Sequence, residues 1–298
     1  MIELQVLIST LGDGINGIAG VAHPVVEGVE YIVVWQRPDL RLQLGDEVKE
    51  VSDTDIEVPE DLRRPDIRVY VSAGCGLSCN RNLAISRATA PLCLLSDDDM
   101  SYRSEQLRGV IEAFAAHPDN DIITFQYVGD NKDYPQAEFD LRKPARGWYV
   151  SSVELAFRRK AVSDSGVRFN PELGLGSELY SCGEEEMWLF SLLKAGLKGV
   201  YVPQIIGRHQ GLSTGVKSAA EKSVLRAQGY IFSLKGIHPA LFHILLKAMR
   251  ATRATGRSFC HNMRWLCQGW WEGQRRQMRL RKGKDTTATE PQSKQQSQ

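Results

Sequence analysis

Cysteine pairing of the metal-binding kind is missing from this chain. Its six cysteines, Cys75, Cys79, Cys93, Cys182, Cys260 and Cys267, form no C-x-x-C pair, and no histidine stands at finger spacing from them. A structural zinc site is therefore not expected, and free thiols in a reducing cytosol are the plain reading. Long apolar runs are missing as well. The longest late one, ALFHILLKAM, is about half the ~20 residues that a membrane span requires, and it contains His243 and Lys247. The amino terminus, MIELQVLIST, has no basic residue ahead of its apolar run, which makes it a strand and not a signal peptide. No internal repeat is present. What remains is a soluble or peripheral protein of ordinary globular composition, 42% apolar and 24% charged. Its 298 residues suffice for one large α/β domain, or for a domain with an appendage.

Net charge is nearly absent too, at +1, but the balance is not local. Residues 1–207 carry 20 Lys and Arg against 32 Asp and Glu, a net −12; residues 208–298 carry 17 against 4, a net +13. An acidic body with a basic tail implies an anionic surface or partner for the tail.

Short apolar runs alternate with helical patterns through the first two-thirds. Strands are predicted at about 3–9, 30–36, 66–71, 92–96, 121–126 and 198–202. Several are apolar at consecutive positions, the mark of burial on both faces in a mainly parallel sheet. Helices are predicted at 78–89, 104–117 and 183–195, with Ser78 and Ser104 as N-caps and Pro118 closing the second. The alternation describes a doubly wound α/β domain. Residues 127–150 mix Gly, Pro, Asn and Asp with aromatics and read as an irregular insertion or hairpin. From 217 the pattern is helical, over 217–234, 239–254 and about 258–280, and the Gln/Ser/Thr-rich end is expected to be disordered. The expected organisation is a catalytic domain over 1–236, a basic helical subdomain over 237–280, and a disordered tail over 281–298.

One apolar run, APLCLLSDDDMSY, stops at three aspartates, Asp97, Asp98 and Asp99. In an open α/β sheet, ligands bind outside the carboxyl ends of the strands, where these three lie. If the chain stays extended, Asp97 and Asp99 point the same way and Asp98 the opposite way. Converging carboxylates are costly unless a cation or protons offset their repulsion, and oxygen ligands favour Mg²⁺ or Mn²⁺ shared with substrate phosphates. A solvated acidic turn is the plain alternative. Further on, YSCGEEEMWLFSLLKAG opens a helix with three glutamates. Ser181 and Glu184 stand at capping-box spacing, and Glu186 faces solvent or the helix dipole. Glu185 is left without a structural role and can serve as a general base; the plain alternative is one more exposed glutamate. A glycine-rich approach, NPELGLGSELYSCG, can bring backbone close to a ligand.

GLSCNRNLAISRATAPLCLLSDDDMSY, then CGEEEMWLFSLLKAG, then VYVPQIIGRHQGLST resemble, in order and spacing, the family 2 glycosyltransferases. The similarity covers roughly residues 3–235. The nearest look-alikes are bacterial enzymes of surface-polysaccharide assembly, whose last helices also read like RSFCHNMRWLCQGWWEG. The resemblance implies a GT-A fold, a Rossmann-like α/β fold with a mainly parallel central sheet flanked by helices, here with a C-terminal helical extension. It also implies inverting, metal-dependent transfer of a sugar from a nucleotide-diphosphate donor to a hydroxyl of a saccharide or lipid-linked saccharide. Residue by residue, Thr10 and Leu11 would line the nucleotide site, and Arg81 and Asn82 would face the nucleotide. Asp97 and Asp99 would form the D-x-D pair that holds Mn²⁺ or Mg²⁺, with Asp99 the foremost ligand; the run of three leaves the register open by one, so Asp98 belongs to the nucleotide-sugar site as well. Glu185 would be the base, and His209 would lie near the metal or diphosphate. Two departures stand out: Gln36 ends the second strand where many members have Asp, though it can still hydrogen-bond a base edge in the nucleotide site, and the commoner G-E-D is G-E-E.

A non-catalytic nucleotide- or carbohydrate-binding partner in a polysaccharide assembly complex is the main rival; the intact Asp97–Asp99 and Glu185 argue against it. A nucleotidyltransferase would carry a basic glycine-rich loop after the first strand, and STLGDGINGIAG has no base. A hydrolase would not need a D-x-D metal site. The tail interleaves Lys and Arg with Leu, Phe and Trp, so it can lie on an anionic membrane with Trp265, Trp270 and Trp271 at the headgroups. A C-terminal helical subdomain that packs its apolar stripe on the core and leaves a solvated basic face is the plain alternative. The acidic body and the lack of a nucleic-acid motif argue against nucleic acid. The expected place is the cytoplasm, peripheral to the inner face of the membrane.

Overall fold

The computed structural model describes residues 1–20, 24–129, 132–177, 179–209, 221–236 and 240–287. The chain divides into two compact units, Met1–Lys217 and Ser218–Gln298.

The first unit is built on a ten-stranded sheet. Its strands are β1 (Leu4–Leu11), β2 (Val29–Gln36), β3 (Val48–Glu50), β4 (Ile67–Ser72), β5 (Leu92–Asp97), β6 (Met100–Ser101), β7 (Ile122–Val128), β8 (Phe139–Asp140), β9 (Leu155–Arg158) and β10 (Gly199–His209). They lie in the order β3-β4-β2-β1-β5-β9-β7-β10-β6, with β8 beside β10. β1, β2, β4 and β5 pair in parallel, as their unbroken apolar runs predict, and so do β7 and β10. Short β9 runs antiparallel between β5 and β7, a strand the periodicity did not reveal. It follows the irregular insertion and not a crossover helix, so nothing forces it to run parallel.

From β1 the chain passes to β2 on one side and later returns to β5 on the other. The sheet therefore has its switch point at β1, and a crevice is expected at the carboxyl ends of β1 and β5. Between the strands lie α1 (Ile15–Gly20), α2 (Arg41–Leu44), α3 (Leu77–Arg87), α4 (Ser104–Ala116), α5 (Arg159–Ser165) and α6 (Glu184–Lys194), and side chains alternate through the sheet. Leu4, Val6 and Ile8 join a core with Phe125 and with Leu107 and Phe114 of α4. Leu7, Val34 and Leu95 join the other, with Ala84 of α3 and Trp188 of α6. Trp188 meets Phe157 of β9 edge-on, with ring centroids 5.3 Å apart, which fixes α6 against the sheet, and it stacks on Phe169 at 4.4 Å. Cys93 is buried in β5, and burial pushes its thiol up to about 12, so it behaves as a small apolar residue. Ser104 opens α4 as its first helical residue, after Arg103, and Ser78 lies inside α3, where its hydroxyl donates to the Leu173 carbonyl at 2.7 Å.

The second unit contains α7 (Lys222–Leu234), α8 (Ala240–Thr255) and α9 (Phe259–Thr287). The first of these was expected from 217, and 217–220 lie outside the described residues. A Cβ on Gly229 would stand 1.9 Å from the Leu266 carbonyl oxygen, and one on Gly269 1.8 Å from that of Arg226. Only glycine permits α7 and α9 to cross this closely. Arg226 and Glu272 brace the crossing with an ion pair of 2.7 Å. α7 packs with the later helices, and the compact units divide at 217/218. Helix α9 also continues to Thr287, past the expected onset of disorder at 281; residues 288–298 lie outside the described residues.

Candidate active site

The chain turns at Asp98 and Asp99 before β6, so the three carboxylates fan out to three partners. Asp97 Oδ1 accepts from Arg81 Nη2 at 3.0 Å. Asp98 Oδ2 accepts from the Thr10 hydroxyl at 2.6 Å. Asp99 Oδ2 lies 3.1 Å from Nε2 of His209. The expectation that Asp97 and Asp99 share a direction therefore fails, because it assumed an extended chain. A side chain at position 14 would meet Asp98 Oδ2 at 2.3 Å, which explains Gly14 in the loop after β1. Burial, together with the charges of Asp99 and Asp97, raises the Asp98 carboxyl, and the Thr10 hydrogen bond opposes the rise.

His209 ends β10 and pairs with Met100 of β6, and this pairing carries its ring to Asp99 across 110 positions of sequence. Asp99 Oδ1 is buried and has no hydrogen-bond partner among the described residues. A buried carboxylate oxygen without a donor, beside an imidazole, suits a divalent cation. Among the described residues no third His, Cys, Asp or Glu completes the set. The fit is thus to a cation whose other ligands come from a diphosphate and water.

Arg81 is the centre of the opposite side. Its side chain is only 3% exposed, yet it donates to Asp97, to Glu184 Oε1 at 2.9 Å and to the Ser152 hydroxyl at 2.7 Å. Burial alone would weaken its charge, but Asp97, Glu184 and Glu185 more than offset that and raise its pKa. The planar fork of the guanidinium is what allows three partners to be held at once. Asn82, the next residue on α3, turns elsewhere: its amide donates to the Phe169 carbonyl at 2.9 Å and accepts from the Phe169 N–H at 2.8 Å. It holds the chain before α6 and is not brought to the aspartates.

Helix α6 begins after Gly183, so the residue before the helix is Gly183 and not Ser181. Glu184, expected in a capping box with Ser181, is buried against Arg81. A box of the same S-x-x-E spacing exists at Ser151 and Glu154, where the Ser151 N–H donates to Glu154 Oε2 at 3.1 Å. Glu185 is half-buried beside Glu184 and Arg81. Burial first, and then the neighbouring Glu184, raise its carboxyl well above the ordinary range, with Arg81 opposing. One carboxylate is thus committed to the buried cation, and its neighbour is left with a strong affinity for a proton.

The other expected residues line the sheet end. Thr10 is buried and Leu11 is 58% exposed. Leu11 is in register with Gln36, whose amide donates to the Gly76 carbonyl at 3.1 Å. Sequence reasoning missed Asn80, which donates to the Val34 carbonyl at 2.9 Å and the Thr10 carbonyl at 3.3 Å and so ties α3 to β1 and β2. It also missed Ser152. A polar residue on the inward side of α3 and the S-x-x-E signature at 151–154 were the signals available.

Residues 46–162 match the family model described as glycosyl transferase family 2. No curated protein gives a significant match. Among solved structures, S. aureus TarS 1-349 in complex with UDP-GlcNAc aligns over 90% of this chain and 72% of its own, at 17% identity and a TM-score of 0.53. The same TarS fragment in complex with UDP aligns over 86% of this chain and 73% of its own, at 16% identity and a TM-score of 0.50. Against the longer S. aureus TarS chain, this one spans 43% of the length, at 16% identity and a TM-score of 0.48.

Proposed function

From the premise of a chain with a glycosyl transferase family 2 segment on a GT-A fold, we propose that it moves a sugar from a nucleotide-diphosphate donor to a hydroxyl of a saccharide or lipid-linked saccharide, with inversion, in the building of a bacterial surface polysaccharide. The observation that carries the reading is the span of charge across the sheet end. Asp99 with His209 stands at one side, Asp97 and buried Arg81 lie between, and the Glu184–Glu185 helix start is at the other. The complexes of TarS with UDP and UDP-GlcNAc put uridine-diphosphate sugars first among donors to try.

Asp99 and His209 are the residues that would hold Mn²⁺ or Mg²⁺, while Asp97, also expected as a ligand, is turned to Arg81; such an ion would supply charge neutralisation on a departing diphosphate. Thr10, Leu11 and Gln36 at the ends of β1 and β2 bound the nucleotide end of the crevice. Asp98, tied to Thr10, fixes the turn that aims Asp97 and Asp99 apart. Arg81 is a positioning residue: it ties Asp97 to Glu184, so the donor end and α6 keep a fixed separation. Glu185 takes the proton from the acceptor hydroxyl, and its raised affinity for protons makes it a better base near neutral pH than an ordinary glutamate. Attack from the side opposite the leaving group inverts the anomeric carbon, through a state with oxocarbenium character. The reaction belongs to the cytoplasm, where nucleotide sugars are made.

The test is nucleotide release with Mn²⁺, a panel of sugar nucleotides and candidate acceptors. Release that depends on donor identity and acceptor supports the transferase. Donor binding with no release from any sugar nucleotide would leave a non-catalytic binding partner instead.

A further inference from the structure

Helix α8 of the second unit buries a narrow stripe, Ile244, Ala248 and Ala251, in the helical core. Four large apolar residues point outward: Leu241, Phe242, Leu245 and Met249, exposed by 67, 54, 38 and 43%. At ~100° per residue these four form one continuous flank of the helix, which Arg253 borders and beyond which Arg250 lies. Between Lys222 and Trp271 there are eight Lys and Arg and not one Asp or Glu. The tryptophans expected at a membrane are differently placed. Trp265 and Trp270 pack against the helical core, and Trp265 is flanked by Lys222 and Arg264, each 5.5 Å from its ring. Only Trp271 is half-exposed, and Arg275 covers it at 5.0 Å.

We infer that α8 lies in the plane of an anionic membrane surface, with Leu241, Phe242, Leu245 and Met249 inserted among the headgroups and Arg250 and Arg253 on lipid phosphates. Among the described residues no helix is long and apolar enough to cross a membrane, so the contact is in-plane. Other occupants fit the surface less well. A second copy docked face to face would set two acid-free basic helices against each other. Nucleic acid would satisfy the arginines and leave the apolar flank in water. The inference rests on this flank alone and does not depend on the transferase reading.

The test is co-sedimentation of the full chain with vesicles of phosphatidylcholine, and with vesicles containing about 30% phosphatidylglycerol. The wild-type protein is expected on the anionic vesicles and not on the neutral ones. The double variant Phe242→Glu/Leu245→Glu, and separately Arg250→Glu/Arg253→Glu, are expected to weaken retention about tenfold or more, while Trp271→Ala leaves it unchanged. All these positions are on the surface, and matched circular dichroism checks that each variant is folded. The inference is overturned by equal retention of either double variant, by loss of retention in Trp271→Ala alone, by equal retention on neutral vesicles, or by no retention at all. Nucleotide release with a soluble donor and acceptor needs no vesicle, so its failure would tell against the transferase reading and leave this one standing.

Discussion

Two buried cations, Arg81 and Lys132, are held from the same short turn, Ser152–Glu154, and they do different things. Lys132 donates to Glu154 Oε1 at 2.6 Å and to the Tyr149 carbonyl at 2.5 Å, and Tyr134 donates to the same Glu154 oxygen. Both charged side chains are at most 2% exposed. Among the described residues this network fastens the irregular insertion to the turn before β9 and reaches no exposed carboxylate. The Arg81 network is open. Its partner Asp97 is 31% exposed at the sheet end, and a second glutamate stands beside the first with its proton affinity raised. The comparison teaches that a buried ion pair marks a site only where one member faces the crevice or lacks full compensation. Otherwise it is scaffold.

The sharpest way to break this contrast is at its open end. Asp99→Ala is expected to cut nucleotide release by about 10³-fold, since it removes the carboxylate with the orphaned buried oxygen. Denaturant midpoints should hardly move, because Asp99 is 44% exposed. Next come the two cations. Arg81→Met and Lys132→Met should each destabilise the fold by about 3–5 kcal/mol, because each leaves a buried glutamate unpaired. Only Arg81→Met should also lower kcat in the folded fraction, read by urea unfolding alongside steady-state kinetics. Equal effects on kcat would erase the distinction between site and scaffold.

The titration of Glu185 gives a subtler separation. Its folded pKa is raised, so between the ordinary glutamate value and the raised one the native state keeps a proton that the unfolded chain has lost. Stability contributed by that proton falls as pH rises through this window, while activity that needs the free carboxylate rises. Glu185→Gln should flatten both trends, measured as unfolding free energy and kcat/KM against pH. The smallest effect is expected at Thr10→Val. Loss of a hydrogen bond to a carboxylate should cost about 1–3 kcal/mol and leave the pH profile in place.

Much of the first unit was legible in the sequence because its signals are local. Continuous apolar runs announce parallel strands, and the elements predicted at 92–96 and 104–117 appear at Leu92–Asp97 and Ser104–Ala116. The aspartates, Glu185 and His209 were singled out from strand ends and from the family resemblance. The pairing of Arg81 with Glu184 was not, since 103 positions separate them and only the packing of α3 and α6 on one face of the sheet brings them together. That contact also takes up Glu184, which was expected in a capping box. Ser181 and Glu184 have the spacing, but an unpaired buried guanidinium is a stronger claimant on a carboxylate than a helix end. Asn82 turns to the Phe169 backbone because neighbours on a helix point about 100° apart, so it does not share the direction of Arg81. In the tail, tryptophan content pointed to a membrane face, whereas side-chain exposure points to the leucines and phenylalanine of α8.

The central claim, that Glu185 draws the proton from an acceptor held before a nucleotide-sugar, is tested most directly by donor binding and turnover in Glu185→Gln. Donor affinity is predicted to stay within about twofold of wild type, while acceptor-dependent nucleotide release falls by about 10²-fold or more. Full turnover in the variant, with donor binding intact, would contradict the account.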